Sequence, residues 1–139
     1  MAVVTERTFA TWLLVAAALA AAAAAVLFRH VDPNAPGNPL PVCVFYAVTE
    51  LYCAGCGITR ALHALAHGDL LRALHMNPLG VFMLVAGPLM LLHVRGWRPE
   101  ALQPLMRVLL SGKFWLVLLP GYMVLRNLPW WPFTLLAPG

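Results

Sequence analysis

Long apolar runs alternate with short polar breaks along the chain. Residues Phe9 to Phe28 carry no charge, with Glu6 and Arg7 before them and Arg29 after. About twenty helical residues cross a hydrocarbon core, so the run predicts a first transmembrane helix over 9–28. Alanine dominates it, and small side chains let membrane helices approach closely. A cleaved signal peptide is the rival reading. The run is longer than a signal core and ends in Val26-Leu27-Phe28 without a polar cleavage zone. Residues Asp32 to Pro41 are crowded with proline, glycine and asparagine and predict an extended loop outside the bilayer. Val42 to Leu51 is apolar but too short to span, and suits a helix lying at the interface or dipping partway in.

From Gly57 to His67 the spacing is helical. Ile58, Leu62 and Leu65 share one face, and Arg60, His63 and His67 the other. Gly68 fits a left-handed helix end, and Asp69 fits the cap of a second short helix over Leu70 to Met76. Asn77-Pro78 repeats that punctuation: a capping side chain, then proline at the first helical position. A second transmembrane helix follows over 78–95, with a kink expected at Gly87-Pro88. Arg95 to Lys113 reads as a loop broken by Pro99 and Pro104, leading into a third span over 108–126. Trp130, Trp131 and Phe133 among prolines suit a membrane–water interface. The expected fold is an all-α integral membrane protein. It has about three transmembrane helices plus two short interfacial or re-entrant helices, in a single membrane domain over 1–139, with the cysteine segment at 42–77.

Composition strengthens this picture. Apolar residues make up 62% and charged residues 10%, with a mean hydropathy of +0.81. Soluble domains carry about 25% charged residues, and so few charges would not cover a globule of this size. The net charge of +4 is spread along the chain. It reads as membrane-flanking arginines rather than a nucleic-acid surface. Three spans place Arg7, Arg95, Arg98, Arg107 and Lys113 on one side and Arg29, Arg60, Arg72 and Arg126 on the other. If Arg60 and Arg72 are held by a polar cluster, the bias puts the N-terminus inside and the cysteine loop outside the cytoplasm, where disulfides persist. The expected partners are the lipid bilayer and other membrane proteins in a complex, with no nucleic acid.

The chemistry of the chain concentrates in Cys53-Ala54-Gly55-Cys56-Gly57-Ile58-Thr59-Arg60, with Cys43 upstream and His63 and His67 downstream. Three cysteines cannot all pair within one chain. One reading is a metal site, with zinc as the candidate ion. Thiolates two residues apart reach one Zn²⁺ from a turn that Gly55 and Gly57 permit. Cys43 is a third candidate ligand, and His63 or His67 a fourth. A second reading is a dithiol, Cys53 or Cys56 being activated by a helix start and by Arg60. Its inert version is a Cys53–Cys56 or Cys43–Cys53 disulfide. A third reading is structural: the thiols pack as small hydrophobes, and Thr59 and Arg60 fix the segment against Asp69 or Glu50. In a variant of this, the Gly57–Arg60 helix start binds a phosphate or lipid headgroup. The histidines alone read as a polar face that meets water or headgroups. No dinucleotide or phosphate loop, no His-Glu-x-x-His helix and no credible carboxylate pair is present.

Cys43, then Cys53-x-x-Cys56-Gly57-x-Thr59-Arg60-Ala61, then Gly68-Asp69 and Asn77-Pro78, resemble an uncharacterised family of small bacterial membrane proteins with a Cys-Pro-x-Cys-Gly-x-Thr-Arg motif, classed as a domain of unknown function. Arg126-Asn127-Leu128-Pro129 is similar to that family's ending. This chain departs at Ala54, where the family usually has proline, and at Glu50, where it often has glycine. The resemblance implies a bacterial inner-membrane location and this architecture, and no activity. The working expectation is an accessory or scaffold membrane subunit with a local cysteine cluster, metal-bound or oxidised. The alternatives are a membrane thiol-disulfide oxidoreductase using Cys53 and Cys56, or anion binding at Gly57–Arg60.

Overall fold

The computed structural model describes residues 2–41 and 43–138, with the backbone alone described for residues 2–10, 13 and 14. Val42, first residue of the short apolar patch, lies outside the described residues, as do the side chains of Glu6 and Arg7. Among the described residues every regular element is helical. The α-helices are α1 (Ala2–His30), α2 (Val44–Thr49), α3 (Ile58–Ala66), α4 (Leu70–Met76), α5 (Pro78–Val94), α6 (Gln103–Leu109) and α7 (Gly112–Arg126). Single 3₁₀ turns lie at Glu100–Leu102 and Phe133–Leu136.

Local chemistry sets most boundaries. Alanine favours helix throughout α1, and Arg29 and His30 close its C-terminal end, where cations meet the carbonyl dipole. The end of α3 is a Schellman turn. Gly68 takes φ 79°, its N–H donates to Leu65 O at 3.0 Å, and Asp69 N–H donates to Ala64 O at 2.9 Å. The Asp69 carboxylate then accepts from Arg72 N–H at 2.9 Å and caps α4. Asn77 caps α5 by accepting from Gly80 N–H at 2.7 Å, with Pro78 at the first turn. Pro88 lies inside α5, which runs unbroken from 78 to 94.

The third apolar segment differs from expectation. Pro104 does not break structure but sits in the first turn of α6, where the missing N–H costs no bond. The chain then turns at Ser111 into α7, so one helix covers 112–126 of the expected span and the span's first two residues, 108 and 109, belong to α6.

Two small cores hold these helices together. Ala61, Ala64, Ala73 and Met76 bury the α3–α4 hairpin, with Leu65 and Val81 packed against them. Ala86, Met106 and Leu109 bury the second contact, among α5, α6 and α7. The large apolar side chains lie mostly outside: Trp12, Leu116 and Val117 are more than 70% exposed. The buried polar side chains include Asn77 and Arg126. Among the described residues no single helix is both long and apolar enough to cross a membrane. Two bent pairs reach that length together: Leu70–Met76 with Pro78–Val94 at 106°, and Glu100–Leu109 with Gly112–Arg126 at 62°.

Candidate functional site

Cys43 sits just before α2, and the loop between α2 and α3 brings Cys53 and Cys56 back beside it. The Sγ atoms of Cys53 and Cys56 are 2.9 Å apart, those of Cys56 and Cys43 3.4 Å, and those of Cys43 and Cys53 3.5 Å. All three are free thiols. A tetrahedral zinc with Zn–S bonds of about 2.3 Å separates its sulfurs by about 3.8 Å, so modest rotations open this triangle around an ion. A disulfide needs a larger approach, to about 2.05 Å. The cluster is therefore compatible with a metal or with a disulfide, and a metal could be held by Cys43, Cys53 and Cys56.

The turn that carries Cys53 and Cys56 is gripped through its backbone, from the far end of the chain. Arg126, 1% exposed, spreads its guanidinium across five carbonyls. Nη1 donates to Cys53 O at 2.9 Å and to Ala54 O at 3.4 Å. Nη2 donates to Cys56 O at 2.9 Å and Met76 O at 3.1 Å, and Nε donates to Leu136 O at 2.8 Å. The Tyr122 ring lies 5.1 Å from the same guanidinium. Asn77 uses all its bonding capacity: Nδ2 donates to Ala54 O and Cys56 O at 3.0 Å each, while Oδ1 accepts from Gly80 N–H and the Tyr122 hydroxyl. Asn127 holds Tyr52 from both sides, accepting its N–H at 2.8 Å and donating to its carbonyl at 2.9 Å. Gly57 completes the turn at φ 82°; a Cβ there would meet Met76 O at 2.6 Å and Pro138 at 2.9 Å, so the position excludes any side chain.

Electrostatics at the site are lopsided. Among the described residues no carboxylate pairs with Arg126, so one positive charge is buried beside the thiol turn. Burial, and the neighbouring Cys53 and Cys43 sulfurs, push the Cys56 thiol up to about 12. Cys43 moves the other way, lowered mainly by the Tyr46 backbone N–H and next by Cys56. A divalent cation would displace these protons and leave the three sulfurs as thiolates.

The other predicted site residues take varied places. Thr59 and Arg60 line a cavity of about 370 Å³ that also reaches Cys43 and Cys56. His63 lies apart from the sulfurs: Nδ1 donates to Phe28 O at 2.6 Å, tying α3 to α1, and Nε2 is 3.9 Å from Asp32. His67 Nδ1 donates to His63 O at 2.9 Å, and the two rings stand 4.4 Å apart. Gly68, Asp69, Asn77 and Pro78 hold the turns that join α3, α4 and α5. The guanidinium that grips the cysteine turn is that of Arg126, which the sequence presents as a flanking charge at a helix end. The signal available in the sequence was the Arg126-Asn127-Leu128-Pro129 run, similar to the ending of the family that the cysteine segment resembles.

No curated protein and no solved structure matches the chain. Residues 43–92, which carry the three cysteines, Arg60, Asn77 and Pro78, match the family described as a protein of unknown function, DUF2752.

Proposed function

We propose that this is an integral membrane protein of the bacterial cytoplasmic membrane, an accessory or scaffold subunit whose working part is a three-thiolate metal site. Zinc is the fitting ion, with Cys43, Cys53 and Cys56 as ligands. The observation that carries the reading is the convergence of three sulfurs within 3.5 Å, over a backbone turn fixed by the buried Arg126. Three thiolates on Zn²⁺ leave a net charge of −1, which that guanidinium offsets. Rigid support of the ligand turn is what a metal site requires and what a floppy loop lacks.

The membrane part rests on an inside-out distribution. Apolar side chains of α1, α5 and α7 face outward, while Arg126 and Asn77 face in, as polar groups do in lipid-embedded bundles. In this reading α1, α5 and the α6–α7 pair lie in the bilayer, α5 reaching span length only with α4 bent before it, and α2 and α3 lie at its extracytoplasmic surface.

Elemental analysis of the detergent-purified chain tests it. We expect about one zinc per chain, lost in Cys53→Ser. A Cys53–Cys56 disulfide without metal would overturn the reading in favour of a dithiol enzyme, which the 2.9 Å Sγ separation favours as the second choice. Three free thiols without metal would leave a packing role only.

A further inference from the structure

We infer that the three-thiolate site keeps an open fourth position, facing the adjoining cavity, which takes a small monoanionic soft donor such as a low-molecular-weight thiolate. This rests on the metal reading above. Among the described residues only Cys43, Cys53 and Cys56 offer ligand atoms within 4.8 Å of one another, so neither histidine nor carboxylate closes the set. The nearby carbonyls are engaged as well: those of Cys53, Ala54 and Cys56 are turned toward Arg126 and Asn77. A tetrahedral zinc with three protein ligands binds water or a substrate in its fourth position, which distinguishes working sites from structural ones.

The cavity supplies room and selectivity. Its volume of about 370 Å³ falls in the range of small-molecule sites. Cys43 and Cys56 form part of its wall, and Gly55 leaves the approach to the sulfurs uncovered; a Cβ there would stand 4.0 Å from Cys53 Sγ. Three thiolates make the metal prefer another soft donor. Charge sets the limit. Arg126 is buried against the ligand turn, and Arg60 in the cavity wall gives an arriving anionic donor a positive charge to meet. The arriving thiol binds as thiolate and releases its proton to water, with no change of oxidation state.

The test uses the full chain in detergent, with cobalt(II) in place of zinc and 2-mercaptoethanol as probe. Cobalt bound by three thiolates gives a near-ultraviolet charge-transfer band. The probe is expected to raise that band by about one third, one sulfur added to three, and to shift the visible bands. Gly55→Leu should keep the cobalt bands and lose the response. Arg60→Gln should weaken the thiolate about fivefold or more, the screened value for one unit charge, and leave neutral imidazole binding unchanged. Cobalt bands that ignore both probes would overturn the open position while leaving the metal site standing. A full response in Gly55→Leu would overturn its placement in the cavity. Failure to bind cobalt at all would remove the metal reading itself.

Discussion

Replacing Arg126 with methionine tests the grip on the cysteine turn most directly. The apolar stem keeps its packing, and the guanidinium goes. Of the five carbonyls it serves, Cys53 O also accepts from Cys56 N–H, and Ala54 O and Cys56 O also accept from Asn77. Met76 O and Leu136 O are hydrogen-bonded by Arg126 alone among the described residues. Two orphaned carbonyls at about 1–3 kcal/mol each amount to about 2–6 kcal/mol. Removing a buried charge returns part of this, so the lower half of the range is expected. At about 2–4 °C per kcal/mol, melting falls by about 4–16 °C. A thiol-reactive fluorescent dye reads the transition, because Cys56 is 6% exposed in the fold and becomes accessible on opening. The same substitution removes the positive charge buried against the ligand turn and should weaken zinc about 10- to 100-fold, as other outer contacts of metal ligands do. Arg126→Lys separates the two effects: it keeps the charge and should hold more zinc than methionine, yet it lacks the planar fork and should melt nearly as low. A methionine variant that melts within about 2 °C of the parent and retains its zinc would refute the reasoning.

Asn77→Ala removes the α5 cap and two donors to the cysteine turn, and should cost about 2–4 kcal/mol by denaturant or thermal melting. Gly57→Ala places a methyl 2.6 Å from Met76 O at a positive φ, and should lower both melting temperature and zinc content, whereas Gly68→Ala, with open space around it, should cost only the backbone strain of about 1 kcal/mol. Zinc affinity should rise with pH. Cys56 holds its proton up to about 12, so binding displaces it throughout the accessible range. This one thiol makes affinity rise about tenfold per pH unit, checked by competition with a chromophoric chelator.

The punctuation around α3, α4 and α5 was legible because its bonds are local. The Gly68 turn, the Asp69 cap and the Asn77-Pro78 start each close within five residues. Convergence of the thiols was legible in outline, since a Cys-x-x-Cys turn fixes two of the three sulfurs, and Cys43 lies ten residues before Cys53. The grip of Arg126 was not, because its bonds to Cys53 and Cys56 cross seventy or more positions. A lone arginine closing an apolar helix carries the same local pattern whether it reaches lipid headgroups or a distant turn. Pro104 misled for a related reason: proline ends one helix and begins another with equal ease, and only the following residues decide.

That long reach fixes an order of events during synthesis. The sulfur turn emerges from the ribosome well before the arginine that clamps it, and the carbonyl of Leu136 that completes the clamp comes later still. Until then the thiols ride on a half-braced loop, open to oxidation or to a passing ion. Maturation of the site is thereby deferred to the arrival of the seventh helix, and a chain stalled before position 126 has its cysteines held by Asn77 alone.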